Sequence, residues 1–331
     1  MQQQTERTDD SLVTPAPAIQ PPKLVIVVPC YNEAEVLPET FQRLRAFLDR
    51  VSAIGKVGPG SQVILVDDGS RDATWDLIRE FNRADPRFHG IKLSANRGHQ
   101  TALLAGLFSA EGDAVASIDA DLQDDISAIE RMLDAYGKGC DVVYGVRRSR
   151  DRDTLFKRST AEWYYRLLSV LAVKVVHNHA DFRLLSRRAL DALKAYPEVN
   201  LFLRGIVPLI GFRSETVFYE RAERFAGESK YPLMKMLALA FDGITSFTAV
   251  PLRFIALIGI FVSLLSGGMI VWVLWVRLFT HAAIPGWASS VIPMYLLGGI
   301  QLLSIGVLGE YVAKLYLEAK RRPRYFIEES L

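Results

Sequence analysis

Ala114-Val-Ala-Ser-Ile-Asp-Ala-Asp-Leu-Gln-Asp124 begins as an apolar run and ends in acid, and that change decides how the chain is read. Ala114 to Ile118 suits a buried strand. Asp119 and Asp121 then stand two residues apart. On an extended backbone residues i, i+2 and i+4 share a face, so this spacing predicts that Asp119, Asp121 and Gln123 aim oxygen at one cation. Oxygen-only ligands favour a hard ion, Mg²⁺ or Mn²⁺. Taken alone, the same triplet suits a solvated turn with helix-capping aspartates.

The neighbouring segments change that balance. Val25-Ile-Val-Val-Pro29 leads into Cys30-Tyr-Asn-Glu33 and then a helical pattern at Leu37, Phe41, Leu44 and Phe47. Val63-Ile-Leu-Val66 repeats the arrangement before Asp67-Asp-Gly-Ser70, and Ile91-Lys-Leu93 before Ser94-Ala-Asn-Arg-Gly-His99; Val142-Val-Tyr144 makes a fifth run. Strands alternating with helix-length segments predict an α/β fold with a mainly parallel sheet and helices on both faces. In such sheets the ligand crevice lies at the carboxyl ends of the strands, where every one of these polar clusters falls. Neither Gly-x-Gly-x-x-Gly nor Gly-x-x-x-x-Gly-Lys-Ser/Thr occurs, so a dinucleotide fold and a P-loop lose their main support. Any phosphate bound here must be neutralised by a metal and by side chains.

The chain has 331 residues, half of them apolar, with a net charge of +2. No basic stripe interleaved with aromatics is present, which argues against nucleic acid as a partner. Cys30 and Cys140 each adjoin an apolar run and read as reduced core thiols in a cytosolic compartment. Residues 1–22 are rich in Gln, Thr, Asp and Pro, lack a signal peptide, and are expected to be disordered. Two long apolar runs follow later, with spans expected at about 254–278 and 288–310 inside a hairpin covering 251–317. Arg253 precedes the first, and Lys314, Lys320, Arg321, Arg322 and Arg324 follow the second. By the positive-inside rule both chain ends are cytosolic, and Trp272, Trp275 and Trp287 mark the opposite interface. Leu233, Leu237, Ala240, Phe241, Ile244 and Phe247 have helical spacing, so 231–250 reads either as a helix in the headgroup layer or as one packed on the preceding domain. Residues 318–331 are left as a cytosolic tail.

Pro29-Cys-Tyr-Asn-Glu33, Val66-Asp-Asp-Gly-Ser70, Asn96-Arg-Gly98 and Asp119-Ala-Asp-Leu-Gln-Asp124 together resemble the ordered motifs of glycosyltransferase family 2. Asp181-Phe-Arg-Leu184, Arg224-Phe-Ala-Gly-Glu-Ser-Lys-Tyr231, Gly309-Glu-Tyr311 and Arg322-Pro-Arg-Tyr325 narrow the likeness to its polyprenyl-phosphate branch, which includes dolichol-phosphate mannose synthase and GtrB-type glucosyltransferases. The resemblance implies a GT-A-type, Rossmann-like catalytic domain over 23–230. One departure is Asp125, where many relatives have proline; a changed local turn is expected there, with no ligand lost.

Roles follow from the resemblance. Asp119, Asp121 and Gln123 would hold Mg²⁺ or Mn²⁺. Asp67 would accept the imide hydrogen of uracil, with Pro29, Tyr31 and Glu33 shaping that end of the pocket. Asp68 and Ser70 would either contact the donor or cap a helix, and Arg147 would reach the donor diphosphate. Arg183, Arg224, Ser229 and Lys230 would bind the acceptor phosphate, since phosphate recognition asks for Arg or Lys. Asp181 would act as a base or orient Arg183; Asp121, Asp181 and Arg183 are the residues nearest the chemistry. The implied reaction is inverting transfer of one sugar, glucose from UDP-glucose first, to undecaprenyl phosphate on the cytosolic face of a bacterial inner membrane. Mannose from a GDP donor and a modified pentose stay open. A processive polysaccharide synthase would carry Gln-x-x-Arg-Trp, which is absent. A non-catalytic nucleotide-sugar-binding subunit of a flippase would have lost the metal ligands. Exposed hairpins also favour a homo-oligomer.

Overall fold

The computed structural model describes residues 20–147, 179–198, 203–220 and 287–331, with scattered positions between 252 and 279. The expected disordered tail, except its last residues, the 231–250 helix, and Arg224, Ser229 and Lys230 lie outside the described residues.

Strand β1 (Leu24–Cys30) is buried along its whole length. Alternate residues feed opposite faces: Leu24, Ile26 and Val28 enter one core cluster, Val25 and Val27 the other. That explains the unbroken Val/Ile run, which a sheet covered on both sides demands. On one face helix α1 (Leu37–Ala53) buries Leu37, Leu44, Phe47, Leu48 and Val51 at helical spacing. Helices α2 (Thr74–Ala84) and α4 (Ser127–Gly137) join it there. Helix α3 (His99–Ser109) covers the other face and buries an unbroken stretch from Ala102 to Leu107.

Strands β2 (Gln62–Asp67), β3 (Phe88–Leu93), β4 (Ala114–Ser117), β5 (Val142–Arg147), β6 (His179–Ser186), β7 (Ser214–Tyr219) and β8 (Ile327–Ser330) complete one sheet in the order β7-β5-β6-β4-β1-β2-β3-β8. Helices α5 (Arg187–Lys194) and α6 (Leu203–Leu209) follow β6. The chain steps from β1 to β2 to β3 in one direction and then places β4 on the other side of β1. A switch point therefore opens between β1 and β4, where open α/β sheets bind ligands.

The sheet is mainly parallel, as expected, with two reversed strands, β6 and β8. Pairings β1–β2, β1–β4, β2–β3 and β5–β7 are parallel. Strand β6 runs antiparallel to both β4 and β5, and β8 antiparallel to β3. The 318–331 segment, expected as a tail, carries a strand. Its β8 seals the open edge of β3: Leu331 N–H donates to the Gly90 carbonyl at 2.9 Å, and Glu329 accepts from Trp75 Nε1 at 3.2 Å and Arg79 Nη2 at 2.7 Å. Leu331 packs on the α1 face core.

Helix α7 (Trp287–Lys320) has 34 residues and runs past the expected end of the second span near 310. At 1.5 Å per residue it measures about 50 Å, against roughly 30 Å for a bilayer core. Within it, Ile300–Lys320 is the one helix among the described residues long and apolar enough to cross a membrane, with a mean hydropathy of 1.3. Leu302, Leu303, Ile305, Leu308 and Leu315 stand exposed on it. The described positions between 252 and 279 are also helical, with Leu257, Phe261, Leu264 and Trp272 exposed.

Candidate active site

Strand β1 ends at Cys30, and the loop that follows is locked to the loop after β2. The amide of Asn32, which has φ +53°, donates to Ser70 Oγ at 3.0 Å, and Asn32 Oδ1 accepts from the Arg71 amide at 2.8 Å. Glu33 N–H donates to Thr74 Oγ1 at 2.9 Å, and Ala34 N–H to Asp72 Oδ2 at 3.1 Å. These loops form one wall of a cavity of about 440 Å³ lined by Pro29, Glu33, Asp72, His99, Asp119 and Asp121. Tyr31 is exposed beside it. The cavity sits where β1 and β4 end, at the switch point.

Asp119 and Asp121 reach this cavity, but not along an extended strand. β4 stops at Ser117, and Leu122 adopts φ +59°. The left-handed residue breaks the two-residue alternation, so Gln123 turns inward, is buried, and is absent from the cavity wall. Its Oε1 has no hydrogen-bond partner among the described residues. Of the three expected ligands, Asp119 and Asp121 line the cavity and Gln123 lies buried behind them.

This turn is held from below. Tyr219 Oη donates to Asp124 Oδ1 at 2.5 Å, and Arg147 Nε donates to Tyr219 Oη at 3.2 Å. Arg147 thus anchors the acidic loop instead of lining the cavity. Asp125, in the position where proline was expected, starts α4 by accepting from the Ser127 amide at 2.9 Å and its hydroxyl at 2.8 Å.

Asp67 and Asp68 differ sharply despite adjacency. Asp67 is fully buried; Oδ1 accepts from the Ser70 amide at 3.2 Å, while Oδ2 has no partner among the described residues. Burial pushes its carboxyl above the ordinary range. An N–H donor such as an imide would satisfy that oxygen. Both oxygens of Asp68 are engaged: Oδ1 accepts from Arg97 N–H at 2.7 Å and Oδ2 from Gly98 N–H at 2.9 Å. Asp68 therefore fixes the loop that enters α3.

A charged cluster closes the far side. Asp181 Oδ1 accepts from Arg183 Nη2 at 2.6 Å, and Oδ2 from Arg204 Nη2 at 3.2 Å. Arg183 is only 1% exposed and also donates to the Leu203 carbonyl at 3.2 Å. Two of its guanidinium nitrogens are thus engaged inside the fold, while Nε has no hydrogen-bond partner among the described residues. Burial pushes the Asp181 carboxyl up, but Arg183, Arg204 and His99 outweigh it and hold it at about 2. Asp181 is thus a charged partner shared by Arg183 and Arg204. Asp119 goes the other way: burial, opposed by His99 and reinforced by Asp124, Asp181 and Asp121, pushes it up to about 6.

The nearby Asp121, Asp124 and Asp181 concentrate negative charge around Asp119, which a cation would offset. Mg²⁺ is usually held by one or two carboxylates with substrate phosphates filling the remaining positions, so Asp119 and Asp121 on a cavity with room for a phosphate-bearing ligand fit such an ion. No larger His, Cys, Asp or Glu group able to enclose a metal occurs among the described residues.

His99, Arg204, Asp72 and Tyr219 are site residues that the sequence reading did not select. His99 follows Asn96-Arg-Gly98 at a strand end, so the rule that picked out Asp119 would also have found it. Arg204 and Tyr219 carry no comparable signal, because only the sheet order brings them near.

The profile described as glycosyl transferase family 2 matches residues 25–194. Uncharacterized glycosyltransferase YkoT of Bacillus subtilis (strain 168) is 50% identical over 94% of this chain and 92% of its own. The SfII prophage-derived bactoprenol glucosyl transferase of Shigella flexneri is 39% identical over 93% of this chain and 98% of its own. Among solved structures, glucosyl-3-phosphoglycerate synthase from Mycobacterium tuberculosis is similar with a TM-score of 0.47 at 19% identity, over 68% of this chain and 78% of that one.

Proposed function

The chain belongs to glycosyl transferase family 2, and from that premise we propose that it moves one sugar, glucose from UDP-glucose, onto undecaprenyl phosphate at the cytosolic face of a membrane. The observation that carries the reading is the meeting of Asp119 and Asp121 on one cavity at the β1/β4 switch point. The full-length similarity to bactoprenol glucosyl transferases supports the lipid class.

In the proposed reaction an acceptor phosphate oxygen forms the new bond to the anomeric carbon as its bond to the diphosphate breaks. UDP leaves with the electron pair, and the configuration inverts. Asp119 and Asp121 would hold Mg²⁺ or Mn²⁺, which as a Lewis acid supplies stabilisation of the leaving diphosphate's charge. Asp67 offers its buried oxygen to the uracil imide, and the Pro29–Glu33 loop shapes that end. A phosphate monoester is largely a dianion at neutral pH, so no protein base is required. Asp181, held at about 2, positions Arg183 and Arg204. Arg224, Ser229 and Lys230 are proposed acceptor-phosphate ligands.

The prenyl acceptor stays in the bilayer, which requires the cavity to reach the headgroup plane. We assign that task to a two-helix hairpin, made of the helical stretch before Phe279 and helix α7, with both chain ends cytosolic. The exposed leucines of α7 support it.

The test is transfer from a panel of radiolabelled nucleotide sugars to undecaprenyl phosphate in detergent, with Mn²⁺ or EDTA, for wild type and Asp121→Ala. Labelling from UDP-glucose that needs Mn²⁺ and disappears in the variant is expected. Nucleotide binding without labelling from any donor would defeat the proposal.

A further inference from the structure

His99 is the first residue of α3, and its backbone is fixed from two directions. Asp68, almost fully buried, accepts the amides of the two residues before it, Arg97 and Gly98. Gly69, at φ +66°, lets the 95–96 loop lie against it. A Cβ there would stand 2.7 Å from the Asn96 nitrogen and 2.8 Å from the Ala95 carbonyl carbon, so only glycine permits the approach. Two motifs from different strand ends, Asp68-Gly69 and Asn96-Arg-Gly98, therefore converge on the placement of one imidazole.

That imidazole lies between the two halves of the site. Its Nε2 is 3.4 Å from Asp119 Oδ1 and 3.8 Å from Asp181 Oδ2. Asp119 belongs to the acidic turn after β4, and Asp181 to the Arg183–Arg204 cluster on β6 and α6. His99 thus lies against both carboxylates. It is 46% exposed and lines the cavity, so it is not a core histidine filling space.

Resting on the function proposed above, we propose that His99 is a positioning residue: it holds Asp119 in the orientation that grips the metal and ties it to Asp181, so that the donor and acceptor ends keep a fixed separation. Partners that orient a metal-binding side chain typically change metal affinity by roughly 10–100-fold when removed.

The experiment measures Mn²⁺ binding in the presence of UDP by electron paramagnetic resonance, on the full chain in detergent. Wild type is compared with His99→Ala, His99→Phe and His99→Gln. Phenylalanine keeps the bulk without the N–H, and glutamine restores an N–H at a similar reach. The expected result is Mn²⁺ affinity weakened about 10–100-fold in the Ala and Phe variants and recovered to within a few-fold in Gln. In turnover, kcat should fall more than the KM for UDP-glucose changes. Wild-type affinity in His99→Phe, or a Gln variant as weak as Phe, overturns the inference. A wild type that binds Mn²⁺ and UDP but labels no lipid defeats the proposed function, and the binding comparison still decides the role of His99.

Discussion

Asp181 is 5% exposed, and the cations around it determine what it does. Its carboxyl is held at about 2, below the ordinary 3.8, by Arg183, Arg204 and His99 against the upward pull of burial. A depressed carboxyl contributes stability that is present above the unfolded value and lost as pH falls through the folded one. Wild type should therefore exceed Asp181→Asn by about 2 kcal/mol from pH 5 to 8, with the gap closing between about pH 4 and 2. Urea unfolding across that range reads it; a gap that changes near neutrality would contradict the orienting role. Tyr219→Phe removes the hydroxyl that links Arg147 to Asp124 and should cost about 1–3 kcal/mol, with weaker Mn²⁺ binding in the presence of UDP as the acidic turn loosens. Unchanged thermal unfolding and Mn²⁺ affinity would refute that link. At this scale the sequence singled out Asp119 and Asp121, which follow an apolar run, and both line the cavity. It could not reveal the turn that presents them, since nothing in Leu122 announces φ +59°. The role of Asp68 was equally hidden, because its partners are backbone amides about thirty residues away, brought near only by the β2–β3 pairing.

Among the elements, α3 shows how tightly the site is seated on the sheet. At Gly106 a Cβ would fall 2.3 Å from Val27 Cγ1 and 2.8 Å from Val66 Cγ2. Gly106→Val should destabilise by about 3 kcal/mol, near the upper end for overpacking, and should lower Mn²⁺ affinity because α3 begins at His99. A variant as stable as wild type in thermal unfolding would show that the helix can lift freely. The five apolar runs of the first half were readable because strands buried on both faces need nearly continuous apolar sequence. The direction of β6 was not. His179-Ala-Asp-Phe-Arg-Leu-Leu-Ser186 has the same side-chain alternation whichever way it runs, and its antiparallel entry between β4 and β5 depends on where the preceding chain delivers it.

For the whole molecule, β8 joins the long apolar helix to the catalytic sheet. After α7, Arg321 turns with φ +46°, Arg324 Nη2 donates to the Tyr196 carbonyl at 3.0 Å, and the chain enters the ladder beside β3. Deleting residues 327–331 should lower stability by roughly 2–4 kcal/mol, from a handful of ladder hydrogen bonds at about 1 kcal/mol each, and should reduce transfer to a long-chain polyprenyl phosphate more than UDP binding. Thermal unfolding in detergent with a paired transfer and UDP-binding assay reads both; equal losses would leave β8 a purely stabilising strand. This closure escaped the sequence reading because Glu328 and Glu329 look like a solvated tail until Lys92 and Arg79 are placed opposite them. The same arrangement governs how the protein is made. Trp75 and Glu329 are 254 residues apart, so at about 5–20 residues per second the ribosome needs roughly 13–50 s to supply the partner of β3 once α2 has emerged. For that interval the nascent sheet carries a bare edge, open to pairing with another chain, and it is completed only after the apolar helix has already been synthesised.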